Sequence, residues 1–220
     1  MRQIVLDTET TGLNPEEGHK IIEIGCVEII DRKITENIFH SYIKPNRVIG
    51  DDAIKIHGIT NEFLKDKPIF GNIVDDFLFY LSDSPLIIHN APFDIAFLKS
   101  ELFNLQKDKS LIDAENRKIY DTLKMSREMS PGKRNTLDAL CERYNVDNSN
   151  RDLHGALLDA RLLAEVYLKM TMGQTDISGL VSNQKINQDS IDVNSSRNIK
   201  IVKSSEEENN EHEDYFKKIN

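Results

Sequence analysis

Lys20-Ile21-Ile22-Glu23-Ile24-Gly25-Cys26-Val27-Glu28-Ile29-Ile30 is rich in β-branched residues and long enough for a central strand. Working outward, Ile4-Val5-Leu6 on its N-terminal side reads as a short buried strand, and Ile34 to Ile43 as a third strand. A hairpin through Asp31-Arg32-Lys33 joins the second and third, and Pro45 ends the third. Asp51 to Leu64 reads as short helical pieces broken at Gly58. Apolar residues at Phe70, Ile73, Val74, Phe77, Leu78 and Leu81 have helical spacing. Pro85 to His89 is another buried strand, and Pro92 stands where a first helical turn tolerates proline, opening a helix to about Leu105. A short strand is expected at Ile119-Tyr120-Asp121. Helices follow at Thr122–Met129, Thr136–Tyr144 and Ala156–Met170, with Pro131-Gly132 separating the first two. Three strands followed by alternating helices and strands predict an α/β domain, a mixed sheet flanked by helices.

After Met172 the composition changes. Residues 173–198 are rich in Asn, Ser, Gln and Asp without sustained periodicity, which reads as a flexible linker. The expected organisation is therefore a domain over 1–172, a linker over 173–198 and a C-terminal segment over 199–220.

The 220 residues carry 28 basic and 37 acidic side chains, a net charge of −9. That balance argues against a protein that coats DNA by charge alone. It does not argue against an enzyme whose carboxylates hold divalent cations, because the cations reverse the local sign. The two cysteines, Cys26 and Cys141, form neither a CxxC pair nor a disulfide framework and read as buried reduced thiols. No apolar run approaches the roughly 18 residues of a membrane span, so a cytoplasmic protein is expected.

Chemistry is concentrated in three places. Asp7-Thr8-Glu9-Thr10-Thr11-Gly12 directly follows a buried strand, and a period of two puts Asp7 and Glu9 on the same side of its end. Alone, this motif reads more readily as an exposed acidic strand end with a turn at Gly12. His89-Asn90-Ala91-Pro92-Phe93-Asp94 again joins an apolar strand to a helix start, where an acid also complements the helix dipole. His154 and Asp159 flank the start of the last strong helix. Together, four acids and a histidine occupy strand ends and helix starts, which in an α/β sheet can converge on one crevice. Hard oxygen ligands suit Mg²⁺ or Mn²⁺, and two such ions ~3.5–4 Å apart can clamp a phosphoryl displacement while a neutral histidine takes a water proton.

These three motifs, in this order and spacing over residues 2–170, resemble the exonuclease motifs of the DEDD nucleases. His154 matches the branch that carries histidine where the sister branch carries tyrosine. Arg2 to Gly12, Gly18 to Gly25 and Ile56-His57-Gly58-Ile59 look like the family of epsilon, or proofreading, subunits of bacterial DNA polymerase III. The resemblance implies a ribonuclease-H-like fold and 3′→5′ exonuclease activity on DNA ends. It implies divalent metal ligands at Asp7, Glu9, Asp94 and Asp159, with His154 as general base. It places Asp52 and His57 at the terminal nucleotide, although the family often has glutamate where Asp52 stands. Read bottom-up, His57 before Gly58 is equally a capping residue. Phe93 either faces the terminal base or packs in the core, and Thr10 to Gly12 can approach the terminal sugar because Gly12 lacks a Cβ.

Competing readings are a ribonuclease of the same class trimming small RNAs, an idle adaptor and a ribonuclease-H-type endonuclease. The filled catalytic positions disfavour the adaptor, and the terminal His-Asp motif disfavours the endonuclease. Two partner motifs lie beyond the domain. Gln174-Thr175-Asp176-Ile177 resembles the start of a sliding-clamp-binding peptide, equally a polar linker. His212, Tyr215, Phe216 and Ile219 share one face of a short helix after a capping-box pattern, and the 199–220 segment resembles a polymerase-binding tail for the alpha subunit.

Overall fold

The computed structural model describes residues 1–113, 115–151 and 153–172. The expected linker, the clamp-like peptide at 174–177 and the tail at 199–220 lie outside them.

Five strands form one mixed sheet, ordered β3-β2-β1-β4-β5: β1 is Arg2–Thr10, β2 Ile21–Ile30, β3 Lys33–Tyr42, β4 Leu86–Ile88 and β5 Ile119–Asp121. β1 pairs antiparallel with β2, and β2 with β3. The pairings of β4 with β1 and with β5 are parallel. The apolar sequence of β2 is explained by its position, since it is buried from Ile21 to Ile29. The hairpin between β2 and β3 turns through Asp31 and Arg32, both at positive φ (48° and 64°), as a two-residue turn matching strand twist requires. Arg32 offsets the strain by donating to the Leu168 carbonyl at 2.6 Å and the Thr171 hydroxyl at 3.0 Å, where a cation suits a helix C-terminus.

Six helices complete the described chain: α1 Asp51–His57, α2 Phe70–Leu81, α3 Ala91–Asn104, α4 Thr122–Met129, α5 Leu137–Tyr144 and α6 Ala156–Met170. Strand alternation divides the core between two faces. Ile4, Leu6, Ile24 and Cys26 pack with Phe77 of α2 and Leu98 of α3. Val5, Val27 and Ile29 pack with Leu140 of α5 and Leu163 of α6. Both cysteines are buried and free. Among the described residues no helix is long and apolar enough to cross a membrane.

Several elements differ from expectation: β3 spans Lys33–Tyr42 rather than Ile34–Ile43, so Lys33 belongs to the strand and not to the hairpin turn. The first strand does not stop at Leu6 but runs to Thr10, because the polar residues Asp7 to Thr10 continue the ladder with β2 as far as Ile21. Thr136 is not helical; its hydroxyl caps α5 by accepting the Ala139 amide proton.

Candidate active site

The site is built where β1 outruns its neighbour. β4 pairs only with Ile4 and Val5 of β1, whereas β2 accompanies β1 to its end. Asp7 to Thr10 are thus anchored along one edge and open along the other. Alternation directs Asp7 and Glu9 to the Val5 side of the sheet, toward α6, and Thr8 to the opposite side, toward α3. There the Thr8 hydroxyl donates to Asp94 at 2.7 Å. Asp94 is the fourth residue of α3, and Asp159 the fourth of α6; both are buried, at 3% exposure. His154 lies just before the α6 N-cap, Gly155, and its amide is tied to the Ile56 carbonyl at the end of α1, 3.1 Å away.

The start of α6 rests on two residues of β2. Opposite Asp7 stands Gly25, where a Cβ would lie 2.3 Å from the backbone of Ala156 and Leu157. Only glycine lets the helix come this close. Opposite Glu9 stands Glu23, a buried carboxylate that accepts the Ala156 amide proton at 3.1 Å and contacts His40 Nε2 at 2.7 Å. Glu23 thus satisfies one of the orphan amides at the helix start.

Asp7, Glu9, Asp94, Asp159, His154 and Phe93 all line one open cavity of about 690 Å³. Ligating atoms of Glu9, His154 and Asp159 lie within 4.8 Å of one another. Arg127 and Lys133 line the same cavity from α4 and the loop after it, which places cationic side chains beside the acids. Burial, reinforced by Asp159, Glu23 and Asp94, raises the Glu9 carboxyl to about 8. Burial raises Asp94 to about 7 even though the Thr8 hydroxyl pulls it down. Asp7 is pushed well above its ordinary value, first by burial and then by Asp94, Glu9 and Asp159. Acids this reluctant to ionise, grouped with a histidine, have the chemistry of a divalent cation site, because a cation removes both the repulsion and the desolvation cost.

The substrate residues divide. Phe93 lines the cavity and also packs on Phe97 of the core, ring centroids 4.9 Å apart. His57 is buried; its Nδ1 accepts the Ile59 amide proton at 3.0 Å, and Gly58 adopts φ 71° as the α1 C-cap. The capping reading therefore holds, yet Nε2 is buried without a partner among the described residues. Asp52 is exposed and paired with Lys55 at 3.0 Å, in a different cavity, lined also by Thr11 and Gly12, rather than among the metal-type acids. Thr10 is buried and folds the turn by donating to the Gly12 carbonyl at 2.6 Å. The space a Cβ would take at Gly12 is filled by the His19 ring, at 2.2 Å, which gives that glycine a structural reason of its own.

Sequence reasoning missed three residues. Glu23 had a signal, an acid set among the apolar residues of a buried strand. Asp138 and Arg151 had none, since their partners are set by tertiary structure. Arg151 holds both oxygens of Asp159, at 2.6 and 2.7 Å, and Asp138 at 2.6 Å.

The sequence model of the family described as Exonuclease matches residues 4–167. The chain is 50% identical to a DNA polymerase III subunit epsilon of Salmonella typhimurium, the match covering 96% of this chain and 90% of that protein. It is 47% identical to the subunit of the same name from Rickettsia conorii, covering 100% and 96%. Among solved structures it is similar to exonuclease X in complex with 5′-overhanging duplex DNA, with a TM-score of 0.61 and 26% identity over 79% of this chain and 93% of that one. It shares its fold with the nuclease domain of 3′hExo, a DEDDh family member bound to rAMP: TM-score 0.67, 20% identity, 78% and 92% covered.

Proposed function

The chain belongs to the exonuclease family, in the branch of the DNA polymerase III epsilon subunits, and from that premise we propose that it removes mispaired 3′-terminal deoxynucleotides as the proofreading subunit of a replicative polymerase. The observation that carries this reading is the convergence of Asp7, Glu9, Asp94, Asp159 and His154 on one open cavity. The four acids would hold two divalent cations, Mg²⁺ or Mn²⁺. When bound, ions of this class offset phosphate charge and stabilise the leaving oxygen. His154 takes a proton from the attacking water, whose oxygen bonds to phosphorus as the bond to the penultimate 3′-oxygen breaks. The products are a nucleoside 5′-monophosphate and a shortened strand with a new 3′-hydroxyl. Thr8 keeps Asp94 oriented, and Glu23 and Gly25 set the height of α6, hence of Asp159. Phe93 and His57 border the terminal nucleotide.

A single cavity of this kind admits one strand end, so the terminal nucleotide leaves its duplex first. A mispair reduces that unpairing cost, which is a few kcal/mol at most. The relatives' name supports association with the polymerase, which we assign to the alpha subunit through residues 199–220, in the cytoplasm where a replicase works. A contact of residues 174–177 with the sliding clamp is a further part of this reading.

The test is digestion of a mispaired primer-template, its matched counterpart and an RNA of the same sequence, with Mg²⁺ or EDTA and with products sized. Single nucleotides released fastest from the mispaired DNA, and only with metal, are expected. Equal rates on matched and mispaired ends, with chemistry limiting, would remove the proofreading role. Preference for the RNA would turn the reading toward an RNA-trimming enzyme.

A further inference from the structure

Arg151 lies in the loop between α5 and α6, yet its side chain is only 6% exposed. Its Nε and Nη2 donate to Asp159 Oδ1 and Oδ2 at 2.6 and 2.7 Å, a fork across one carboxylate. Nη1 donates to Asp138 Oδ1 at 2.6 Å, and Nη2 also lies 3.0 Å from His154 Nδ1. One guanidinium therefore grips an acid of the cavity, its histidine and, through the half-exposed Asp138, the first turn of α5.

Two chemical consequences follow. A hard divalent ion takes a carboxylate oxygen at ~2.0–2.1 Å for Mg²⁺, and both oxygens of Asp159 already have a cationic donor in their own plane. A guanidinium has no acceptor, so the His154 Nδ1 facing it must be the acceptor. Neutral His154 then carries its proton on Nε2, and its one basic nitrogen is the one covered by Arg151.

We propose that Arg151 is a tethered surrogate cation, a positioning residue that holds Asp159 and His154 in place and competes with the metal for Asp159, releasing both groups when metal binds. Asp138 is the other end of the exchange. It is exposed enough to keep the guanidinium once Asp159 is given up, so the charge moves a short distance without becoming unpaired. The inference rests on the metal site proposed above, and its function is to keep four acids and a base assembled without letting the base act before the cation arrives.

The experiment measures Mn²⁺ binding by calorimetry, and thermal melting in EDTA and at saturating Mn²⁺, for the full chain and for Arg151→Gln and Arg151→Lys. Wild type that takes up no Mn²⁺ overturns the metal site itself, and this inference with it. With Mn²⁺ bound, competition predicts that Arg151→Gln binds the ion at least about tenfold more tightly. The same variant should melt roughly 5–10 °C lower than wild type in EDTA, with the gap closing at saturating Mn²⁺. Arg151→Lys keeps the charge but cannot span both oxygens, so it should tighten binding by less and serves if the glutamine variant does not fold. Unchanged or weaker Mn²⁺ affinity in the folded variants, or the same melting loss with and without metal, overturns the surrogate role and leaves Arg151 as a structural ion pair.

Discussion

Gly25→Ala tests whether the height of α6 above the sheet sets the activity. A methyl group at Gly25 would sit 2.3 Å from Ala156 C and Leu157 N and 2.4 Å from Ala156 O, all backbone atoms, against ordinary Cβ contacts of 3.4 Å or more. No side-chain rotation relieves this, so the first turn of the helix must lift by about 1 Å. Asp159 is one turn further on and His154 immediately before, so both reacting groups move with it. A 1 Å misplacement at a reacting centre costs roughly 10²-fold in rate. Overpacking at a buried contact costs about 1–3 kcal/mol of stability. The assay is single-turnover release of the 3′ nucleotide from labelled single-stranded DNA at saturating Mg²⁺, paired with thermal melts. Gly71→Ala is the matched control, since its Cβ would meet only side-chain tips, Leu105 at 3.4 Å and Ile69 at 4.0 Å, in α2, which does not line the cavity of the acids. An alanine variant at 25 that cleaves within twofold of wild type and melts normally would refute the claim that close helix approach positions the site.

Alanine at Asp7, Glu9, Asp94 or Asp159 should abolish metal-dependent nucleotide release, and double variants should be no worse than single ones, because the groups act as a unit; a fully active single variant removes that residue from the site. His154→Ala should slow turnover roughly 10²–10⁴-fold with DNA binding retained, and an unchanged rate would remove its role as base. In EDTA, stability should fall as pH rises from about 4.5 to about 8: Glu9 in the folded protein holds its proton up to about 8 against an ordinary 4.5, so folding is favoured below that window and loses the contribution across it. Melts at pH 5 and 8.5 check this, saturating Mn²⁺ should flatten the profile, and a melting temperature that climbs with pH in EDTA contradicts it. Glu23→Ala should cost about 1–3 kcal/mol and speed hydrogen exchange at the Ala156 amide it leaves unpaired; normal protection of that amide counts against the tie. A chain shortened to Met172 should cleave free DNA and lose co-purification with the polymerase subunit, and retained association would move the tether out of residues 199–220.

How far the structure was legible depended on whether a feature was local. The bounds of α2 and α6 follow from apolar periodicity and match the structure at Phe70–Leu81 and Ala156–Met170, and α4 is found at its expected Thr122–Met129. Hydrophobicity alone ends β1 at Leu6. Its continuation through Asp7-Thr8-Glu9-Thr10 is imposed by pairing with β2, a partner that local pattern does not reveal. No element was assigned between Leu105 and Ile119, where a short 3₁₀ turn at Lys109–Ile112 buries only Ile112. The acids and His154 were legible because their chemistry is carried by residue type and spacing. Arg151 was not, since an arginine in a polar loop becomes informative only once Asp138 and Asp159 are seen on either side of it.

The position of the acids follows from unequal strand lengths. β4 leaves β1 after Val5, so the chain from Asp7 onward keeps its ladder on the β2 side and exposes its other edge to the space between α3 and α6. An acid placed earlier on β1 would be sealed beneath β4, and one placed beyond Thr10 would lack the strand that fixes its direction. Within that interval the two acids, Asp7 and Glu9, are half-buried, deep enough for burial to raise their proton affinity and open enough for an ion to reach them. A net charge of −9 is then no obstacle to meeting a phosphate backbone. Each bound divalent ion adds two positive charges at the point of contact, while Arg127 and Lys133 supply two more on the cavity wall. On the function proposed above, affinity for DNA is coupled to metal occupancy, and hydrolysis is confined to the state in which the acids are paired.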